Sequence, residues 1–248
     1  MKDLYIKTNS GDMYYEKCGS GKSIILLHGW GQSGKTFEEI ISYLKDKYTV
    51  YVVDFLGFGL SDEPSKVLSI DDYTDYLEML IKEEKIVDPI ILGHSFGGRI
   101  AINYASRNRV NKLVLVNSAG ISHHGIKYYF RIFKYKLKKV FVYLFNYDNY
   151  YSFIRKSGSR DYQNASFIMR GTFKKVVNKD LKKQMKKIKD KTMVIGSVFD
   201  KEVKLDDCKK IGKLIKDSEL VVFYRSGHFS YLDEKEKFKN VLLRFLEE

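Results

Sequence analysis

Four short apolar runs set the strongest limit on what this chain can fold into: Ser23 to Leu27, Thr49 to Val53, Pro89 to Leu92 and Lys112 to Val116. Each is too short for a helix and is followed directly by a polar or turn-forming residue, His28, Asp54, Gly93 and Asn117 in turn, which marks a buried strand. The stretches between them are long enough for helices. Phe37, Ile40, Ile41 and Leu44 recur at helical spacing, and so do Tyr73, Tyr76, Leu77 and Leu80 behind a helix-capping Ser69. An apolar helix running to about Ser106 follows the third run. Strands alternating with helices in this way predict a mostly parallel central sheet with helices on both faces. The same rhythm returns late in the chain, with strands at Thr192 to Ile195 and Glu219 to Tyr224 and helices at Lys204 to Lys216 and Asp233 to Leu246. A hairpin of Leu4 to Thr8 and Met13 to Lys17, across Asn9-Ser10-Gly11-Asp12, precedes the first run.

The 248 residues, 44% hydrophobic and 15% aromatic, suffice for a sizeable core, and two prolines exclude collagen-like and proline-rich classes. Cys18 and Cys208 are too few for a disulfide scaffold, lack metal-ligand spacing, and read as free thiols of a reducing compartment. The N-terminal MKDLYIKTNSG has charges where a signal peptide would be apolar, and no window reaches about 18 apolar residues. The expectation is a soluble, cytoplasmic protein.

The net charge of +13 is not spread evenly. Residues 121–191 hold 19 Lys and Arg against four Asp, together with 15 of the 36 aromatic residues, while the remainder carries 25 basic and 27 acidic residues. Such a shift predicts an inserted subdomain at 121–188, leaving 1–120 and 189–248 as the core. Val176, Leu181, Met185 and Ile188 predict an amphipathic helix across Lys174 to Lys191.

The chemistry is written in Gly93-His94-Ser95-Phe96-Gly97, a G-x-S-x-G pattern between a buried strand and a helix. A serine in so sharp a turn has a strained backbone, and the flanking glycines remove side chains that would collide. The helix beginning at Phe96 aims its positive dipole end at the same place. A phosphate-binding glycine turn is the bland alternative. Serine needs a base within hydrogen-bond reach. Of five histidines, His94 adjoins Ser95 and should point away; His28 reads as a loop organiser, and His123 with His124 as a surface pair. His228, following a strand in Ser226-Gly227-His228-Phe229, is the best candidate. Asp200, after the strand ending near Gly196, is the carboxylate to orient it, with Glu202, Asp206 and Asp207 as competitors. The backbone N–H groups of Phe96 and Trp30 would stabilise a tetrahedral oxyanion.

In these motifs the chain resembles the α/β-hydrolase superfamily, in its small capped form. The resemblance rests on His28-Gly29-Trp30-Gly31, Asp54 to Ser61, Gly93 to Gly98, Asp200-Lys201-Glu202-Val203 and Gly227-His228-Phe229, in that order. It implies the α/β-hydrolase fold with a helical cap, Ser95 as nucleophile, Asp200 as acid and His228 as base, the order Ser–Asp–His along the chain. Gly196 to Asp200 is one residue longer than the family's common G-x-x-D, and Asn117 ends the strand where some relatives place the acid.

The resemblance also implies that the cap covers Ser95, with Tyr128, Tyr129, Phe130, Phe133, Phe141 and Phe145 lining an acyl or alcohol pocket or packing between cap helices. Its basic face reads as a solvated lysine-rich surface or as attraction toward anionic substrates or a membrane. Nucleic acid is not expected, since no RNA-binding signature accompanies the charge. No cofactor or metal is called for. The functional expectation is a serine hydrolase of a small to medium carboxylic ester or thioester. C–C bond hydrolysis, peptidase and acyltransferase chemistry share the constellation. A catalytically silent ligand-binding or membrane-associated module is the alternative outside enzymes.

Overall fold

The computed structural model describes residues 2–122, 126–147, 149–150, 152 and 159–248. Among them eight strands form one sheet: β1 Lys2–Thr8, β2 Gly11–Cys18, β3 Lys22–Leu27, β4 Tyr48–Val53, β5 Ile90–His94, β6 Lys112–Val116, β7 Thr192–Ser197 and β8 Ser218–Phe223. Their spatial order is β1-β2-β4-β3-β5-β6-β7-β8. Only the pairings of β2 with β1 and β4 are antiparallel; from β4 to β8 every neighbour is parallel. The helices are α1 Glu38–Leu44, entered through a 3-10 turn at Gly34–Phe37, then α2 Ile70–Glu83, α3 Phe96–Ala105 and α4 Ile126–Phe145. They continue as α5 Arg160–Asn164, α6 Phe167–Asn178, α7 Lys182–Met185, α8 Leu205–Leu214, α9 Ser230–Asp233 and α10 Lys235–Glu247.

The apolar runs are continuous rather than alternating because both sheet faces are covered. Ile25, Leu27, Ile91, Leu113, Leu115 and Val194 join one core with Tyr73, Leu77, Ile100 and Ile211 from α2, α3 and α8. Their neighbours Ile24, Leu26, Leu92, Val114, Val116 and Ile195 join a second core with Ile40, Leu44, Phe238, Leu242 and Phe245 from α1 and α10. Ser69 caps α2 as its position predicts: its hydroxyl accepts the Asp72 N–H while the Asp72 carboxylate accepts the Ser69 N–H, a reciprocal capping box.

The chain leaves β3 toward β4 and then returns to place β5 on β3's other side. Strand order reverses there, which opens a crevice at the carboxyl ends of β3 and β5. The loop after β3 holds Trp30, and the turn after β5 holds Ser95.

One expected helix is broken. Lys174 to Lys191 is not continuous: α6 stops at Asn178 and α7 starts at Lys182. Val176, Leu181, Met185 and Ile188 are all buried as expected, but the five-residue step from Val176 to Leu181 is where the helix turns. Buried Arg99 donates to the carbonyls of Lys179 and Val177, and Leu181 N–H donates to Gly120. The Asp180 carboxylate accepts from Ser122 N–H and hydroxyl and from Lys182 N–H. Tertiary partners have replaced the helical ones.

Candidate active site

Ser95 lies between β5 and α3 with φ 50° and ψ −105°, a left-handed conformation that costs a non-glycine residue of order 1–3 kcal/mol. The surrounding glycines are the condition for it. A Cβ on Gly97 would stand 2.1 Å from the Leu27 carbonyl oxygen, one on Gly93 2.7 Å from Gly97 O, and one on Gly98 1.8 Å from Ser118 Oγ. The turn is pinned by Ser95 N–H donating to Val116 O and Gly97 N–H to His28 O, at 3.1 and 3.0 Å.

His228 follows β8, with its Nδ1 2.8 Å from Asp200 Oδ2. Asp200 is buried, and its other oxygen accepts N–H groups from Glu202 and Val203 at 2.8 and 2.9 Å. Burial pushes this carboxyl up, but the His228 ring and the two N–H donors outweigh it and hold the group below the usual carboxylate range. The extra residue between Gly196 and Asp200 is absorbed by turning Val198 and Phe199 outward while Asp200 turns in.

Two groups in this arrangement take roles that the sequence did not assign them, Asn117 having been noted only as the end of its strand and Glu202 only as a competitor for the acid. Asn117, at φ 44° after β6, donates from Nδ2 to Asp200 Oδ2 at 2.9 Å and to Ser197 Oγ at 3.0 Å, and accepts the Ser230 hydroxyl at 2.8 Å. The visible signal was a polar residue closing a strand that is apolar from Leu113 to Val116, of a type that tolerates positive φ. The other is Glu202, whose Oε2 sits 3.2 Å from His228 Nε2. No hydrogen bond joins Ser95 Oγ to His228 among the described residues; Nε2 faces Glu202 instead.

Two of the remaining histidines, His28 and His94, serve the scaffold. His28 is buried, its Nδ1 2.7 Å from Gly29 O, while its Nε2 accepts the Phe55 N–H at 3.1 Å. Burial lowers its pKa. His94 packs against His228: its Nε2 lies 2.9 Å from the His228 carbonyl and the two rings are 4.7 Å apart. Burial, with the neighbouring His228 ring, brings its pKa down to about 3, so it is neutral and Nε2–H is the donor. His123 and His124 lie outside the described residues.

The N–H groups of Trp30 and Phe96 donate to no acceptor among the described residues. The Trp30 ring is fixed edge-to-face against Phe58, Phe96 and Phe173, with centroids 4.9, 5.4 and 5.0 Å away. Phe173 comes from α6, which also brings Met169 against Gly57, where a Cβ would stand 2.5 Å from Met169 Cε. Between them is a cavity of ≈ 450 Å³ lined by Trp30, Gly57, Phe58, Glu63, Asn164 and Met169 among others. Phe130, Phe133, Phe141 and Phe145 do not line it; all four are largely exposed on α4. The side chains of Tyr128 and Tyr129 lie outside the described residues. A larger cleft, ≈ 660 Å³, opens elsewhere between Arg107, Arg109, Lys187 and Lys191 and contains none of the candidate site residues. Burial pushes both thiols up, Cys208 to about 12, so neither is a poised nucleophile.

Comparison with known proteins agrees with this fold. A family model described as the alpha/beta hydrolase fold matches residues 22–131. The AB hydrolase superfamily protein YisY of Bacillus subtilis is 29% identical over 97% of this chain and 98% of its own. The pimeloyl-[acyl-carrier protein] methyl ester esterase of Vibrio parahaemolyticus is 33% identical over 44% of this chain and 42% of its own. In fold, the chain is similar to an esterase from Exiguobacterium antarcticum, with a TM-score of 0.79 over the whole of both chains at 23% identity. No helix among the described residues is long and apolar enough to cross a membrane. With its strand order, its glycine-framed turn after β5 and these matches, the chain has the α/β-hydrolase fold.

Proposed function

We propose that this α/β hydrolase is a serine hydrolase that cleaves a small to medium carboxylic ester or thioester through an acyl-enzyme. The observation that carries the reading is the Asp200–His228 pair, 2.8 Å apart at the sheet edge where Ser95 occupies its strained turn. Asp200 fixes the Nδ1–H tautomer, leaving the Nε2 lone pair to accept a proton once Glu202 turns aside. Ser95 Oγ then attacks the substrate carbonyl carbon as its proton passes to His228 Nε2. The oxyanion is received by the Trp30 and Phe96 N–H groups, whose lack of other acceptors is the second support. His228 returns the proton to the leaving alcohol or thiol. Water, deprotonated by the same imidazole, attacks the acyl-Ser95 ester and releases the carboxylic acid.

Residues 121–188 are proposed as the cap, with α6 as the part nearest the site. The cavity beside Trp30 and Met169 is then the place for an acyl or alcohol group, in preference to the exposed aromatic residues of α4. Relatives named as esterases favour an ester among the reactions this constellation supports.

A fluorophosphonate probe with the intact protein is the direct test, followed by p-nitrophenyl esters of increasing acyl length. The reading requires labelling at Ser95, abolished in Ser95→Ala, and turnover falling about 10⁴-fold or more in that variant. An unlabelled Ser95 and no turnover on any ester or thioester would make the chain a ligand-binding module instead.

A further inference from the structure

α4 is a 20-residue helix with an apolar face that no described residue covers. Phe130, Phe133, Leu137, Val140, Phe141 and Leu144 follow one another at steps of three, four and one, which places them in a single stripe. In a folded chain such a stripe is ordinarily buried, yet these six side chains are 55–64% exposed. From Phe133 to Tyr147 no residue is buried. The helix also contains six basic residues, Lys127, Arg131, Lys134, Lys136, Lys138 and Lys139, and no acidic one. By angle, Lys134 and Lys136 border the stripe on opposite sides, and the Lys134 ammonium lies over the Phe130 ring at 4.8 Å. Long lysine stems beside an apolar stripe can lie along it while their charged ends reach outward.

We propose that α4 is an interfacial helix that docks this protein on the surface of an anionic lipid bilayer. The stripe would enter the boundary between headgroups and acyl chains, and the flanking lysines would meet lipid phosphates and carboxylates. Spanning is ruled out for this helix by its charge, and no described helix is apolar enough to cross. A second copy of the chain is the poorer occupant, because apposing two such stripes brings six like charges on each side together with no acid on either helix to answer them. A helix of this length is about 30 Å long, enough to lie flat across several lipids. The docking does not depend on the proposed hydrolysis, so each can fail alone.

The test is flotation of the intact protein with phosphatidylcholine vesicles, with and without 30 mol% phosphatidylglycerol, at 0.1 and 0.5 M NaCl. Binding is expected only with phosphatidylglycerol, and weakened at high salt. Lys134→Gln with Lys136→Gln should weaken partitioning by roughly fivefold per residue. Phe133→Ser with Phe141→Ser, both exposed and so tolerable to the fold, should weaken it at constant charge. Fluorophosphonate labelling of Ser95 should be unchanged in both variants, which separates this result from that of the proposed chemistry. Absence of binding, binding indifferent to lipid charge, or binding retained in both variants would overturn the proposal. So would a dimer in sedimentation that dissociates in the Phe133/Phe141 variant, or an acidic protein that outcompetes the vesicles.

Discussion

His94 gives the structure's most quantitative prediction. It is fully enclosed, with burial holding its pKa at about 3 against a free value of 6.5. Folded, it remains neutral at any pH above about 3. Unfolded, it takes a proton below 6.5. The unfolded state therefore binds more protons, and stability must fall as pH drops from 6.5 toward 3, with no further loss from this group below that. Between pH 7.5 and pH 5 the cost is about 2 kcal/mol, with a limiting slope near 1.3 kcal/mol per pH unit, since almost one proton separates the two states. Buried His28, also lowered, acts in the same direction, and Asp200, lowered, adds its own loss at more acid pH. The perturbation that isolates His94 is His94→Gln, whose amide can keep the donor to the His228 carbonyl, now 2.9 Å from Nε2, but cannot titrate. Urea denaturation at half-unit steps from pH 7.5 to 4.5 measures it. The variant's midpoint shifts as a whole, but its stability against pH should be shallower than the parent's by about one proton's slope below pH 6. Parallel curves would refute the claim that His94 is held neutral by burial.

Other expectations follow from single contacts. Asn117→Ala removes one donor to Asp200 and the acceptor for Ser230, and should cost about 1–3 kcal/mol in thermal unfolding while lowering kcat more than it raises KM. Glu202→Gln removes the carboxylate facing His228 Nε2; the side chain is largely exposed, so the gain in fluorophosphonate labelling at low salt should be modest, about 1.4- to 5-fold. An unchanged labelling rate would show that Glu202 does not compete with Ser95. Gly97→Ala should prevent folding or cost more than about 3 kcal/mol, because its methyl would meet the Leu27 carbonyl oxygen at 2.1 Å. Gly212→Ala, inside α8 with its nearest neighbour 3.8 Å away, should instead stabilise by about 0.5–1 kcal/mol.

The core was legible because its signals are local. Every parallel strand announces itself as an apolar run bounded by polar or turn residues, and two covered faces leave no other place for Ile24 to Leu27 or Leu113 to Val116. Gly93 and Gly97 were legible for the same reason, since a strained serine can be recognised by what must be absent beside it. The break between α6 and α7 was not, because it depends on Arg99, which lies roughly 80 positions away and supplies the carbonyl partners that end α6. No window centred on Lys174 to Lys191 contains that information. The cap aromatics are a different case. Their place came from the resemblance alone; Phe130, Phe133 and Phe141 share one side of α4, and an apolar stripe is the same pattern whether it faces a pocket, another helix or lipid.

That ambiguity also bears on how the site works. The polar residues that position His228 arrive from three strand ends: Asn117 after β6, Ser197 closing β7 and Ser230 beyond β8, with Asp200 held among them. Asn117 satisfies the carboxylate from the strand end where some relatives place the acid itself. An aspartate there would set two carboxylates against each other, whereas an asparagine stiffens Asp200 and keeps its charge. His94 contributes by holding the His228 backbone. The imidazole is thus constrained at Nδ1 and at its carbonyl, and only Nε2 has a partner, Glu202, that can leave. Freedom is confined to the one atom that, in the proposed reaction, exchanges a proton with Ser95, which is what a general base on a rigid sheet edge requires.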